Sequence, residues 1–277
     1  GLGEIWTQIT GAGYRYQYHQ YYPMTVSAFW LQYWIWQDSS YGYHVVNVLL
    51  HAANAVLLWR VLHRVRMPGS WIAAAIFAVH PVHVQSVAWI TELKNVLSTL
   101  FYLSSALFLL RFLDPVDSGL RDDMQIKDRR WVWYVLAFTL FIFALLSKTV
   151  TASLPVAMLL ILWWKQDQRK QWGRHLAALA PMLAVGLAFL VTTIYLESHH
   201  TSTRTDNNEM DLIDQCLIVG RALWFYAGKL IWPNPLTMIY PRWQINALDW
   251  RQWLYLITAV GTIAAIWALR NRNGRGT

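Results

Sequence analysis

Residues 77–110 read FAVHPVHVQSVAWITELKNVLSTLFYLSSALFLL: the end of one apolar run, a polar elbow, then the start of a second run. The second run, 95–112, approaches the ~20 apolar residues a helix needs to cross a bilayer. The first, 71–88, is interrupted at His80-Pro81-Val82-His83, because proline has no N–H to donate and its ring crowds the preceding turn. Between the runs, Glu92 and Lys94 supply the charges. Apolar runs separated by so short an elbow are the pattern of a chain that crosses a membrane more than once, each crossing a helix because lipid cannot satisfy backbone polar groups.

Five more runs follow from the same criterion: 44–60, 131–147, 150–164, 175–195 and 253–269. Composition agrees. The chain of 277 residues is 56% hydrophobic and 14% charged, against about 25% charged in soluble domains. Its 18 Trp and 14 Tyr suit the headgroup layer, where an amphipathic ring is at home. The expected fold is therefore all-α: a transmembrane bundle of about seven spans with one or two interfacial helices. A net charge of +8 would suggest nucleic acid in a soluble protein. Here the basic residues flank apolar runs, so the expected partner is anionic lipid and no nucleic acid is expected. The single cysteine, Cys216, excludes an internal disulfide and a cysteine-based metal cluster.

The basic residues also set a direction. Arg60, Arg64 and Arg66 follow the first span; Arg111, Arg121, Lys127, Arg129 and Arg130 follow the third. Lys165, Arg169, Lys170 and Arg174 follow the fifth, and Arg270, Arg272 and Arg275 the last. Thus 15 of 23 Lys and Arg fall in every second gap. The positive-inside rule makes those gaps, and the C-terminus, cytoplasmic. A full crossing at 211–232 (DLIDQCLIVGRALWFYAGKLIW) would reverse the basic tail and place Asp211, Asp214, Arg221 and Lys229 in lipid, where each is costly. That segment reads as an interfacial or re-entrant helix ended by Pro233 and Pro235, and 22–36 as another. The organisation expected is an external segment 1–43, a six-span bundle 44–195, an external loop 196–252, and a last span with its basic tail, 253–277.

The other eight basic residues are Arg15, Lys94, Lys148, Arg204, Arg221, Lys229, Arg242 and Arg251. The topology rule does not account for them. Lys94, Lys148, Arg221, Lys229 and Arg242 together would make a basic pocket at the outer face, suited to a phosphate through charge-assisted hydrogen bonds. Glu92 would be a secondary acid of that pocket. Each has a plainer reading: Glu92 and Lys94 as an ion pair, Lys148 reaching to headgroups. His80 and His83 could line the pocket or hold a divalent metal. A helix-ending, hydrogen-bonding pair is the simpler account. Asp122-Asp123 sits among mixed charges and reads as a solvated loop, as do 206–214 and His199-His200.

Taken in order, YYPMTVSAFWLQYWIW, YGYHVVNVLLHAANAVLLWRVL, the 77–110 stretch, SKTVTASLPVAMLLILWW and GRALWFYAGKLIWPNPLTMIYPRW resemble the membrane domain of bacterial relatives of the transmembrane and tetratricopeptide-repeat O-mannosyltransferases. The most specific part is H-P-V-H-x-x-x-V-A-W-I before a charged helix start. The resemblance spans nearly the whole chain. It implies a GT-C glycosyltransferase fold and a sugar donor linked to polyprenyl or dolichyl phosphate. It also implies a protein hydroxyl as acceptor and, for a bacterial relative, residence in the inner membrane. The family's catalytic base is an acid soon after its first span. Residues 1–43 hold only Glu4 and Asp38, neither in that pattern, so the base is not carried onto Glu4. The start at Gly1 without a basic leader reads as an internal piece, or a truncated gene product, of a longer protein. Two other classes stand beside the transferase: a transporter or flippase, which would show matching halves, and a noncatalytic anchor for a repeat domain.

Overall fold

The computed structural model describes residues 5–6, 22–113, 124–164, 172–201, 212–237, 240–241 and 243–269. The long helices are α1 (Pro23–Trp36), α2 (Ser40–Arg64), α3 (Ser70–Val79), α5 (Leu93–Leu113), α6 (Met124–Ser147), α7 (Leu154–Trp164), α8 (Trp172–Thr201), α9 (Leu212–Ile231) and α10 (Trp250–Leu269). Between α3 and α5 lie a 3-10 turn at Pro81–His83, the short helix α4 (Val84–Ala88) and a second turn at Ile90–Glu92. No strand occurs among the described residues. The chain forms two compact units, Gly1–Thr203 and Arg204–Thr277.

The predicted spans resolve unequally. Among the described residues, four helices are long and apolar enough to cross a membrane: Ser40–Arg64, Ile90–Leu113, Arg130–Ser147 and Trp172–Tyr195. The 71–88 run is instead a broken pair, α3 and the segment after Pro81, bent by 49°. The 150–164 run is only a 3-10 turn, Thr149–Ser153, followed by the 11 residues of α7. An 11-residue helix rises roughly 16 Å, about half the hydrocarbon thickness. The last run is α10.

In the first unit, α1 and α2 turn polar side chains inward and apolar ones outward. Thr25, Gln32, Asn47 and Asn54 are buried, while Trp34, Ile35, Val48 and Leu49 are exposed. That is the reverse of a water-soluble helix, and it is what lipid selects, because apolar surface costs nothing there and polar groups must find partners inside. The core joins α5, α6, α7 and α8 through Leu109, Leu110, Phe141, Leu145, Met158, Leu179 and Met182. Hydrogen bonds cross it: Ser105 donates to the Ala137 carbonyl at 2.7 Å, and Tyr134 donates to the Ala178 carbonyl at 2.8 Å. The second bond falls in the turn of α8 that Pro181 weakens by lacking an N–H.

The same core fixes which helix ends lie together. Val61 of α2 and Val65 just after it pack in one cluster with Phe112 and Leu113 of α5. Arg130 at the start of the apolar part of α6 donates to the Phe112 carbonyl at 3.2 Å. Arg111 lies over the rings of Phe108 and Trp133. Arginines placed by the sequence in two different gaps, after α2 and between α5 and α6, therefore gather at one end of this unit.

In the second unit, α9 and α10 touch at Gly220. A Cβ there would lie 2.7 Å from the Leu256 Cα, closer than van der Waals contact permits. Trp224 donates from Nε1 to the Tyr255 carbonyl at 3.1 Å and to the Thr258 hydroxyl at 3.0 Å. Gly220→Ala is expected to lower stability by about 1–3 kcal/mol through overpacking. Gly228→Ala, where a Cβ meets nothing within 4 Å, is expected to be neutral or mildly stabilising. Thermal unfolding of the detergent-solubilised protein, followed by tryptophan emission, separates the two.

Candidate functional site

The break between α3 and α5 frees backbone carbonyls that a continuous helix would have bonded. Helix α2 meets this region with three polar residues spaced i, i+4, i+7, which puts them on one face. Asn47 donates from Nδ2 to the carbonyls of Val87 at 3.3 Å and Trp89 at 3.2 Å. His51 Nε2 meets the Ala78 carbonyl at 3.1 Å. A carbonyl can only accept, so this nitrogen carries the proton. Asn54 donates to the Val96 carbonyl at 2.8 Å. Residues 78–96 are thereby held against α2 along a broken path of short helical turns.

That path presents Glu92, Lys94 and Asn95 together. Lys94 Nζ pairs with Glu92 Oε1 at 3.4 Å, both side chains being partly buried. Asn95 donates from Nδ2 to Glu92 Oε2 at 2.5 Å and to Ser86 Oγ at 3.1 Å. From the far side comes Lys148. It has an extended backbone between α6 and the Thr149–Ser153 turn (φ −164°, ψ 122°). Its N–H donates to the Ala144 carbonyl at 2.8 Å, and its carbonyl accepts from Thr151 at 2.7 Å. With the backbone pinned, its ammonium reaches Asn95 Oδ1 at 2.5 Å, across 53 residues of sequence. Two helix breaks therefore meet, and their polar side chains form one cluster.

Burial disfavours the charged ammonium and lowers the Lys148 pKa from the ordinary lysine value. Nearby Lys94 adds to the lowering, and the Glu92 charge opposes it. An ammonium has three donors, and Asn95 takes one. The cluster can hold an anion through the rest, with Lys94 beside it.

The histidines act differently. His80 accepts from the Val82 N–H through Nδ1 at 3.3 Å, capping the 3-10 turn. The His83 ring packs against Phe77, with centroids 4.3 Å apart, and lies 5.4 Å from the His51 ring. This is the helix-ending arrangement. Among the described residues no group of three or more His, Cys, Asp or Glu could hold a metal ion.

Arg221 and Lys229 belong to the second unit, where aromatic rings hold them. The Arg221 guanidinium lies 4.8 Å from the Trp243 ring centroid, and Lys229 lies 5.7 Å from both Phe225 and Tyr240. Lys229 also donates to the Pro235 carbonyl at 2.5 Å. Arg221, Phe225 and Lys229 follow at i, i+4, i+8, so one face of α9 grips the segment after it. Arg242 lies outside the described residues, as do Arg15, Asp122, Asp123 and Arg204.

Asn95, Ser86 and the α2 stripe were not foreseen from the sequence. The stripe had a legible signal: amides and a histidine on one face of an otherwise apolar span are functional or structural candidates by default. Asn95 had none, since its role depends on Lys148 arriving from elsewhere.

Inward polar stripes, lipid-length apolar helices and a charged cluster at paired helix breaks define an integral membrane protein of the polytopic helical class. Residues 22–196 match the model of the dolichyl-phosphate-mannose-protein mannosyltransferase family, more than half of the chain, and the chain belongs to that family. It is similar to a protein O-mannosyl-transferase of Caenorhabditis elegans, 34% identical over 90 residues, which is 31% of this chain and 13% of that protein. It is similar to human protein O-mannosyl-transferase TMTC3, 30% identical over 125 residues, 45% of this chain and 12% of that one. It is also similar to mouse protein O-mannosyl-transferase TMTC2, 34% identical over 135 residues, 48% of this chain and 15% of that one. The chain thus spans a small part of the length of these curated relatives. No solved structure matches. Lys148, Asn95, Glu92 and Lys94 all lie inside the family match.

Asn47→Leu would strip the Val87 carbonyl of its side-chain donor and leave that of Trp89 with the Glu92 N–H alone. Leaving a part-buried carbonyl unmet costs on the order of 1 kcal/mol. The expected result is a lower unfolding temperature and faster proteolysis within 78–96, read by limited digestion and mass spectrometry of the fragments.

Proposed function

We propose that this chain is the donor-binding membrane part of a GT-C glycosyltransferase, which moves a sugar from a polyprenyl-phosphate carrier to a protein hydroxyl on the non-cytoplasmic side. The observation that carries the reading is the Lys148–Asn95–Glu92–Lys94 cluster inside the family match. Departure of the lipid phosphate leaves negative charge on its oxygen. Ammonium groups already in place stabilise that charge without reorganising at the moment of reaction. The acceptor hydroxyl needs a base. Glu92 already accepts from Lys94 and Asn95. In this reading it sets the charge of the pocket and does not take the acceptor proton.

The gathering of Arg64, Arg111 and Arg130 at one end supports a cytoplasmic assignment for that end, with the Lys148 cluster on the opposite, outer side. In the same reading the charges along α9, an otherwise apolar helix, suit a membrane interface. The transporter alternative would use the carbonyls of a broken helix to coordinate an ion. Here those of Ala78, Val87 and Trp89 are taken by His51 and Asn47, which favours the transferase.

With the full-length protein in proteoliposomes, polyprenyl-phosphate mannose labelled in the sugar and a Ser/Thr-rich peptide acceptor, Lys148→Ala is expected to reduce transfer about tenfold or more, as for the loss of one charge-assisted hydrogen bond. Membrane insertion should stay intact. Full transfer by that variant would overturn the assignment.

The lowered Lys148 pKa adds a pH signature. Donor affinity should fall as pH rises through the lowered value, because the neutral amine no longer attracts the phosphate. Lys148→Arg keeps its charge, so the alkaline limb of donor binding should move to higher pH. A limb that stays in place would mean another group sets it.

A further inference from the structure

We infer that Asn95 is a positioning residue whose neutral amide keeps Glu92 from neutralising Lys148, and so leaves the Lys148 charge available to an anion. The inference rests on the donor-site reading above and goes one step into its mechanism.

The amide has two unlike ends. Oδ1 can only accept and Nδ2 can only donate. Lys148 presents donors alone and an ionised Glu92 acceptors alone, so the contacts of Asn95 allow one orientation: Oδ1 to Lys148, Nδ2 to Glu92 and Ser86. The Asn95 carbonyl is fixed as well, accepting from Ser98 at 3.1 Å and Thr99 at 2.7 Å within the first turns of α5. One side chain thus ties α4, the Ile90–Glu92 turn and the end of α6.

The charge arithmetic follows. The cluster holds two cations, Lys94 and Lys148, and one anion, Glu92. Glu92 pairs with Lys94, while Lys148 meets a neutral oxygen. The surplus positive charge therefore sits on Lys148. An aspartate at position 95 has nearly the same size and shape. It would pair with Lys148 directly, stand against Glu92, and bring the cluster to two cations and two anions. Shape would be kept and the free charge lost.

The test uses the full-length protein in proteoliposomes with polyprenyl-phosphate mannose as the probe. Asn95→Asp is expected to raise the donor KM about tenfold or more, as for one lost charge-assisted contact, with kcat changing less. Adding Asn95→Asp in the Lys148→Ala background should raise KM by a smaller factor than in the native background, since its larger effect acts through the one ammonium. Uncharged Asn95→Ala should raise KM less than Asn95→Asp. A second readout needs no transfer. Acylation of Lys148 by an amine-reactive reagent at fixed pH, read by mass spectrometry, should slow in Asn95→Asp, because a direct carboxylate partner holds the ammonium protonated. A misfolded variant would instead expose Lys148 and speed the labelling. Unchanged KM and labelling in Asn95→Asp, with transfer lost in Lys148→Ala, would overturn the role of Asn95 and leave the donor site standing. Equal effects of Asn95→Ala and Asn95→Asp would reduce it to a structural residue. Full transfer by Lys148→Ala would remove the donor-site reading itself.

Discussion

A backbone carbonyl in an apolar medium must have a donor, and the first unit is organised around that demand. The break after Val79 exposes carbonyls that a continuous helix would have satisfied. Asn47 and His51 meet those of Ala78, Val87 and Trp89 from one face of α2, and Asn54 on the same face meets the Val96 carbonyl inside α5. The burial pattern of α2 follows: its amides face inward because that is where partners are, and Val48, Leu49 and Val56 face out because lipid accepts them. Without the stripe, the path from Ala78 to Val96 would have no fixed course, and the polar side chains on it no fixed positions.

The second break obeys the same rule. Helix α6 ends at Ser147, whose carbonyl accepts from Thr25 of α1 at 3.3 Å. The next residue is extended, and Thr149 shares a hydrogen bond with Thr193 of α8 at 3.0 Å. Lys148 is therefore set between two anchored neighbours. Lysine on a mobile loop would wander; here the only long freedom left is the side chain, which Asn95 receives. Two interrupted helices with satisfied backbones produce a polar cluster that two uninterrupted helices could not.

The second unit solves a different problem with different chemistry. Arg221 and Lys229 sit on a largely apolar helix, and aromatic rings receive them. Phe225 lies edge-on to Tyr240 and Trp243, so the cations and rings form one layer between α9 and the segment that follows it. Cation–π contacts of this kind strengthen when desolvated. They also explain how basic residues selected on charge alone can serve the fold, since both cations hold the chain after Pro233 against the helix.

Much of the architecture is legible in the sequence. Apolar length marks the helices, Pro81 marks the break in 71–88, and the alternation of basic gaps anticipates arginines at one end, because these are local properties of composition and spacing. The family resemblance is legible too, since it lies in the order of short motifs. The 150–164 run reads as a crossing on hydropathy, but a 3-10 turn consumes its first residues, and turn type depends on what Thr151 and Lys148 bond to. Of the site, Lys94, Glu92 and Lys148 are marked by charge out of place. Only the tertiary structure decided that Lys148 meets Asn95 rather than Glu92, and that Arg221 and Lys229 face rings. Sequence records which residues carry charge. Which partner each charge meets is settled by packing between helices far apart in the chain.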